Sequence, residues 1–356
     1  MTLDDVQTPA LILNVDALER NLARMASECA AAGIALRPHT KTHKSPWVSA
    51  KQIRLGAAGV CTAKLGEAEV MVKAGIPNVH LTTELTPSNM DRALDIAALA
   101  EVSVVADAFE MVDLLSAKAR DRGLTLTVLA DVNVGQNRTG VEPGEPVLQL
   151  ARRILDAPAL RFGGLQGYEG HCQHIRDRAE RRGRAFEAYA RLAETKALLT
   201  DHEIPVPVVT TAGTGTYAAA IEHGTATEVQ PGSYTVVDSD YAAVQGLPFE
   251  HALFVLTTVV SNQRAGLVII DAGHKTVSTD AGAPAVKDFP EAKYQAAGDE
   301  HGKIAGLPAR RTPGDRIWLI PSHCDTTINL YNRYVLVRDD GRCLGTLTID
   351  ARGQSA

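Results

Sequence analysis

Across the first two-thirds of this chain, short runs rich in β-branched residues alternate with longer stretches of helical period, and that rhythm leaves few folds open. Eight strands are expected, at 36–41, 59–63, 79–83, 102–106, 126–132, 162–168, 206–211 and 228–234. Helical segments fall between them, at 66–74, 89–99, 109–120, 146–155 and the charge-studded 177–199. A further helix over 15–32 precedes the first strand, with Asn14 or Asp16 placed to cap its amides. Eight strand and helix alternations match an α/β fold of the (β/α)8 TIM barrel kind better than an open doubly wound sheet. Beyond residue 240 the rhythm changes. Strands at 254–261, 267–271, 316–320, 334–337 and 344–349 are joined by Gly, Pro and Asp turns with no convincing helix, which predicts a second, mainly β domain. The expected division is a barrel over 10–240 and a β domain over 241–356, with residues 1–9 and the run 11–15 open to either.

A chain of 356 residues with 45% hydrophobic content has the material for such cores. No apolar run approaches the length of about 18 residues that a membrane helix needs, and the first residues show no targeting pattern. A net charge of −6, with charges scattered rather than blocked, argues against a nucleic-acid surface and points to small-molecule ligands. Five cysteines at irregular spacing indicate neither a disulfide framework nor a thiolate zinc site, which fits a reducing cytoplasm.

A barrel presents its reactive groups where strands end, at the C-terminal face, and the unusual residues gather there. Strand alternation puts Arg37, His39 and Lys41 on one face, directed at the mouth. Desolvation and neighbouring positive charge depress an amine's pKa, so Lys41 suits attack on an aldehyde; a basic surface turn is the competing reading. The segment from Thr210 to Thr216, with Thr211, Gly213, Thr214 and Gly215, follows the seventh strand and precedes a helix, a junction that suits a phosphate when it is not merely a turn. His171 and His174 follow the sixth strand as proton carriers or as solvated loop residues. His323 and Asp325 stand two apart and face the same way if extended, as two ligands of an open metal site or as a hydrogen-bonded pair. His80, His202, His223 and His251 stand alone and read as surface or packed residues.

Together these runs are more specific than any one of them. The chain resembles the metal-activated D-threonine aldolase and D-serine dehydratase family, whose barrel and β domain form the alanine-racemase-like fold of pyridoxal phosphate enzymes. The likeness rests on Thr8-Pro9-Ala10-Leu11, the RPHTKTHK run, the segment Asp131 to Val141, Gly164-Leu165-Gln166-Gly167-Tyr168, the Gly-Thr run, Val229 to Tyr234, Asp299-Glu300-His301-Gly302 and PSHCDTTINLY. The resemblance implies that Lys41 holds the cofactor and that Arg138 sits at its phenolic oxygen. It implies Thr214, Gly215, Gly232 and Ser233 at the phosphate and Gln230 at the pyridine nitrogen, a neutral partner where alanine racemases place an arginine. Tyr168, Thr211 and Gly213 complete the cofactor-binding set, although the runs around them depart from the family's usual choices. His323 and Asp325 would ligate a divalent ion such as manganese, magnesium or cobalt, with Asp299 in an outer role, and His174 falls at the family's base position.

The reaction implied is retro-aldol cleavage of a D-3-hydroxy-amino acid to glycine and an aldehyde. Its rivals are dehydration of D-serine or D-3-hydroxyaspartate on the same scaffold, racemisation, and a non-catalytic pyridoxal phosphate carrier. His-x-Asp rather than His-x-Cys at the metal favours the aldolase, and a carrier needs neither the β domain nor the pair. A cytoplasmic homodimer acting on a small molecule, with no nucleic-acid or membrane partner, is expected by analogy.

Overall fold

The β-branched runs become eight parallel strands: Ala35–Leu36, Val60–Thr62, Asn78–Leu81, Glu101–Ala106, Leu126–Asp131, Leu160–Gly167, Val208–Thr211 and Glu228–Val229. Each pairs with its neighbour in chain order from the second to the eighth, and the eighth pairs with the first. A parallel bridge between His39 and Cys61 joins the first strand to the second and closes the (β/α)8 barrel. The computed structural model describes residues 2–356.

Strands covered on both faces must be apolar almost throughout. Val102, Val104, Val105 and Ala106 are accordingly all buried in the fourth. The helices that cover them are amphipathic. In Glu145–Leu155, Val147, Leu148, Leu150, Ala151 and Ile154 are buried, while Arg152 and Arg153 lie in the last turn, where the helix dipole favours cations. The long helix Arg178–Asp201 starts where the Asp177 carboxylate accepts the Glu180 amide at 2.8 Å. Of the two caps expected for Val15–Ala31, Asn14 takes the role, accepting the Ala17 amide at 3.0 Å; Asp16 pairs with Arg338 instead.

Two strands are shorter than their sequences suggest. The first is regular only to Leu36, because Pro38 has no amide for the second strand and Pro231 none for the return bond from the eighth. Single backbone bonds run on from Arg37 to Val229 at 3.0 Å, from His39 to Pro231 at 3.0 Å and from Thr40 to Cys61 at 2.8 Å. The eighth stops at Val229 ahead of Pro231, and Ser233–Thr235 forms a 3-10 turn.

The chain divides into a barrel unit of Met25–Lys41, Pro46–Gly232 and Gln354–Ala356, and a β unit of residues 2–24, Thr42–Ser45 and Ser233–Gly353. These limits differ from 10–240 and 241–356, and strand pairing gives the reason. Ala10–Asn14 lies between Leu253–Arg264, antiparallel to it, and Arg333–Val337, parallel to it, so the start of the chain is a central strand of the β unit. Val6, Ala10, Ile12, Phe254, Leu256, Val335 and Val337 form a core there, with the Trp318 ring edge-on to Phe254 at 5.6 Å. Short strands at Ala285–Val286, Lys293–Ala296 and Gly302–Ala305 extend the unit. Where no helix was expected, Ser239–Ala242 and Cys324–Ile328 form single turns. Among the described residues no helix is long and apolar enough to cross a membrane.

Candidate active site

Lys41 ends the barrel's first segment, partly buried, its amide donating to His39 Nδ1 at 3.3 Å, while His39 Nε2 meets the Thr82 hydroxyl at 3.2 Å. Arg37 is not directed at the mouth with them. Its Nε bonds Glu228 Oε2 at 2.8 Å, with side chains only 13% and 6% exposed, and a second nitrogen reaches Asn78, a partner of the third strand. The expected cationic triplet thus resolves into a neutralised arginine, a hydrogen-bonded ring and one amine. Alternation alone could not reveal Glu228, which sits nearly 200 residues away on the adjoining strand.

A belt of polar side chains crosses the barrel interior. Gln230 Nε2 donates to Thr210 Oγ1 at 2.8 Å and to Gln166 Oε1 at 3.3 Å. Gln166 Nε2 donates in turn to Asp131 Oδ1 at 2.9 Å and to the Thr82 carbonyl at 3.1 Å. His80 is a packed residue with partners, its nitrogens 2.8 Å from Ser103 Oγ and 3.0 Å from Gln166 Oε1, and burial pulls its pKa down to about 4. Burial and the nearby Glu84 carboxyl push Asp131 the other way, favouring a protonated acid. His80, Asp131 and Gln166 were detectable as polar residues set inside apolar strands; what they bind was not.

At the ends of the fifth and sixth strands, the Arg138 guanidinium lies 5.7 Å from the Tyr168 ring centroid. The loop before it is shaped by Asn133 Oδ1, which accepts the amides of Gly135 and Asn137 at 3.1 Å each. His171 and His174 are both exposed, flanking buried Cys172 and Gln173. After the seventh strand, Thr211 Oγ1 lies 2.6 Å from the Gly167 carbonyl and 2.8 Å from Glu169 Oε2. The Gly213 amide bonds Thr216 Oγ1 at 3.2 Å and the Gly215 amide bonds Gln173 Oε1 at 2.9 Å. Thr214 and Gly232 are buried, as is Ser233, which opens the next stretch of the β unit.

In the β unit, His323 and Asp325 do not lie on an extended segment. His323 is the residue before the short helix Cys324–Ile328 and Asp325 is in its first turn, so their directions follow a helix start rather than strand alternation. Cys324 between them is fully buried, and burial pushes its thiol well above the usual range, which makes it inert. Asp280, which sequence did not single out, orients the histidine: its Oδ2 meets His323 Nδ1 at 2.7 Å, and its Oδ1 accepts Ser278 Oγ at 2.5 Å and Thr326 Oγ1 at 3.0 Å. Asp299 pairs instead with Lys275 at 3.4 Å on an exposed surface. Among the described residues no group of three or more His, Cys, Asp and Glu side chains is placed to hold a metal ion.

A lysine at the end of the first strand of a (β/α)8 barrel, with a mainly β unit in the same chain, defines the class of alanine-racemase-fold enzymes. Residues 13–240 match the family "Alanine racemase, N-terminal domain" and residues 252–337 the "Putative serine dehydratase domain". The chain is 39% identical to a D-threonine aldolase of Arthrobacter sp. over 98% of its own length and 94% of that protein's. It is 35% identical to a 3-hydroxy-D-aspartate aldolase of Paracoccus denitrificans, over 99% and 94% respectively. The crystal structure of D-threonine aldolase from Filomicrobium marinum superposes with a TM-score of 0.96, at 40% identity, covering 99% of this chain and 98% of that one. The chain belongs to the D-threonine aldolase and D-serine dehydratase family, on its aldolase branch.

Proposed function

We propose that this protein is a lyase that cleaves D-3-hydroxy-amino acids such as D-threonine to glycine and an aldehyde, using pyridoxal phosphate and a divalent metal ion. The near full-length likeness to two aldolases carries the reading.

The residues present fit the cofactor. Lys41 supplies a primary amine for its aldehyde, Arg138 and Tyr168 a cation and an aromatic face for its ring oxygen, and Gln230 a carboxamide for its ring nitrogen. Thr211, Gly213, Thr214, Gly215, Gly232 and Ser233 form or support the phosphate turn. The donor set itself matches such a cofactor: a primary amine at a strand end, a Gly-Thr turn before a helix, and a neutral carboxamide held in the barrel's polar belt. Pyridoxal phosphate, when bound, supplies an electron sink for the charge left on Cα as the Cα–Cβ bond breaks.

The donor set of His323 and Asp325 fits an open divalent site completed by water and substrate, with manganese, magnesium and cobalt as candidates. The ring's Nδ1 is held by Asp280, which leaves Nε2 as the ligating atom, the arrangement in which a carboxylate fixes a metal-binding histidine. Such an ion lowers the pKa of a bound hydroxyl. His174 takes the β-hydroxyl proton, directly or through water, as that oxygen becomes the aldehyde carbonyl. Gln230, carrying no charge, leaves the ring nitrogen without a formal counter-ion, and the belt through Gln166 to Asp131 fixes its orientation.

Incubation with D-threonine and manganese tests the assignment. Glycine with acetaldehyde is the expected product pair; ammonia with 2-oxobutanoate would make the protein a dehydratase. The enzyme works in the cytoplasm as a homodimer in this reading, in keeping with five free thiols.

A further inference from the structure

Glu169 is not itself among the residues assigned to cofactor, metal or substrate, yet five donors converge on it inside the barrel unit, where it is fully buried. Oε1 accepts from Thr216 Oγ1 at 2.5 Å, Tyr189 OH at 3.0 Å and Gln173 Nε2 at 3.1 Å. Oε2 accepts from Thr211 Oγ1 at 2.8 Å and from the Ala212 amide at 3.3 Å. A carboxylate, an acceptor at both oxygens, suits this ring of donors, with the Thr211 hydrogen shared with the Gly167 carbonyl at 2.6 Å. Burying such a charge is costly, and it persists where the surrounding hydrogen bonds repay that cost.

Three of the five donors belong to the turn after the seventh strand, and a fourth, Gln173, braces the same turn. Gln173 Oε1 accepts the Gly215 amide at 2.9 Å while its Nε2 also donates to Thr216 Oγ1 at 2.8 Å. On the carbonyl side, Arg181 Nε donates to the Gly215 oxygen at 2.8 Å. The turn is therefore gripped by an anion on its donors and by a cation on an acceptor. Its backbone also shows the grip. Ala212 has φ of +65°, a conformation that a residue with a Cβ rarely adopts, and its amide is one of those that Glu169 receives. A Cβ at Gly213 would sit 2.6 Å from Gln173 Oε1, so the turn closes tightly onto the segment that follows Glu169.

We propose that Glu169 is the positioning residue of the phosphate subsite, and the inference rests on the reading that this turn receives the phosphate of pyridoxal phosphate. The carboxylate does not meet the phosphate. It draws the Thr216 hydroxyl hydrogen and the Ala212 amide to the back of the turn, and shares that of Thr211 with the Gly167 carbonyl, which holds the backbone through Thr214 and Gly215 in one conformation for the anion. Both its oxygens are taken up by donors of the turn and of the scaffold behind it, Tyr189 and Gln173, so it is held away from the ligand.

The test compares two ligands that differ only in the phosphate. The protein stripped of cofactor is titrated with pyridoxal phosphate and with pyridoxal, following visible absorbance, for wild type and Glu169→Gln. The variant keeps the volume but turns one acceptor into a donor facing donors. Affinity for pyridoxal phosphate is expected to fall about ten- to a hundredfold while that for pyridoxal stays within about twofold. Should Glu169→Gln not yield folded protein, Thr216→Val and Tyr189→Phe each delete one donor, and the same phosphate-selective loss, smaller for each, is expected. Equal losses for both ligands, or none, overturn the proposal. A wild-type protein that binds neither ligand overturns the cofactor assignment itself, and this inference with it.

Discussion

Adding one methyl group at Gly215 would drive a Cβ into the backbone oxygen of Gln173, an atom that cannot swing aside. The clash must be relieved by moving the turn, so Gly215→Ala is expected to lower stability by about 1–3 kcal/mol and to weaken pyridoxal phosphate binding. Thermal denaturation and absorbance titration measure the two effects; a variant with unchanged cofactor affinity would remove Gly215 from the phosphate turn. Lys41→Ala deletes the amine rather than the pocket. Its expected signature is loss of the cofactor's lysine-bound absorbance and a fall in turnover of about a thousandfold or more, at nearly unchanged stability. At this scale the sequence was legible where a residue's neighbours lie along the chain. Lys41, Arg138 and the Gly-Thr run are expected at or just beyond strand ends, and they lie there. Arg37 could not be placed, because Glu228, which neutralises it, comes from the opposite end of the barrel sequence.

Strands and helices carry charge in ways that single residues do not. His80 lies on the third strand with both ring nitrogens occupied, and its neutral form is the one the barrel accepts. An unfolded histidine takes a proton near pH 6.5, whereas this one resists until about 4. Above pH 6.5 it therefore leaves stability untouched, and as pH falls through that window protonation of the unfolded chain costs the fold up to about 3 kcal/mol. Denaturation midpoints taken between pH 7.5 and 4.5 should drop more steeply for wild type than for His80→Gln; parallel curves would contradict this. The helix start at Cys324 makes a second case. With Asp280 holding the His323 ring, Asp280→Asn is expected to weaken manganese binding about ten- to a hundredfold, read by the metal concentration that half-saturates activity. An unchanged requirement would return Asp280 to a purely structural role. Periodicity revealed the existence and type of most of these elements, since burial imposes it. It did not reveal the single helical turn after His323, for five residues carry too little pattern to distinguish a turn of helix from an extended run.

At the scale of the molecule, the homodimer reading predicts a native mass twice the 37.9 kDa of the chain in sedimentation equilibrium, and a monomer at working concentration would exclude it. The barrel was readable because its eight strands follow one another in sequence and pair with their neighbours. The β unit was readable only in outline, since its strands pair across long separations that leave no local trace. One of those pairings bears on how the protein is made. Leu13 pairs with Leu253, 240 positions further along, and Ile12 with Val335 beyond that. During synthesis at about 5–20 residues per second, the strand Ala10–Asn14 emerges on the order of 10–50 s before its first partner. Through that interval its edges and the apolar side chains of Leu11, Ile12 and Leu13 stay uncovered beside the growing barrel, a template for wrong pairing on crowded ribosomes. Yield in the cell should then depend on chaperone supply and translation speed more than the finished protein's stability would suggest.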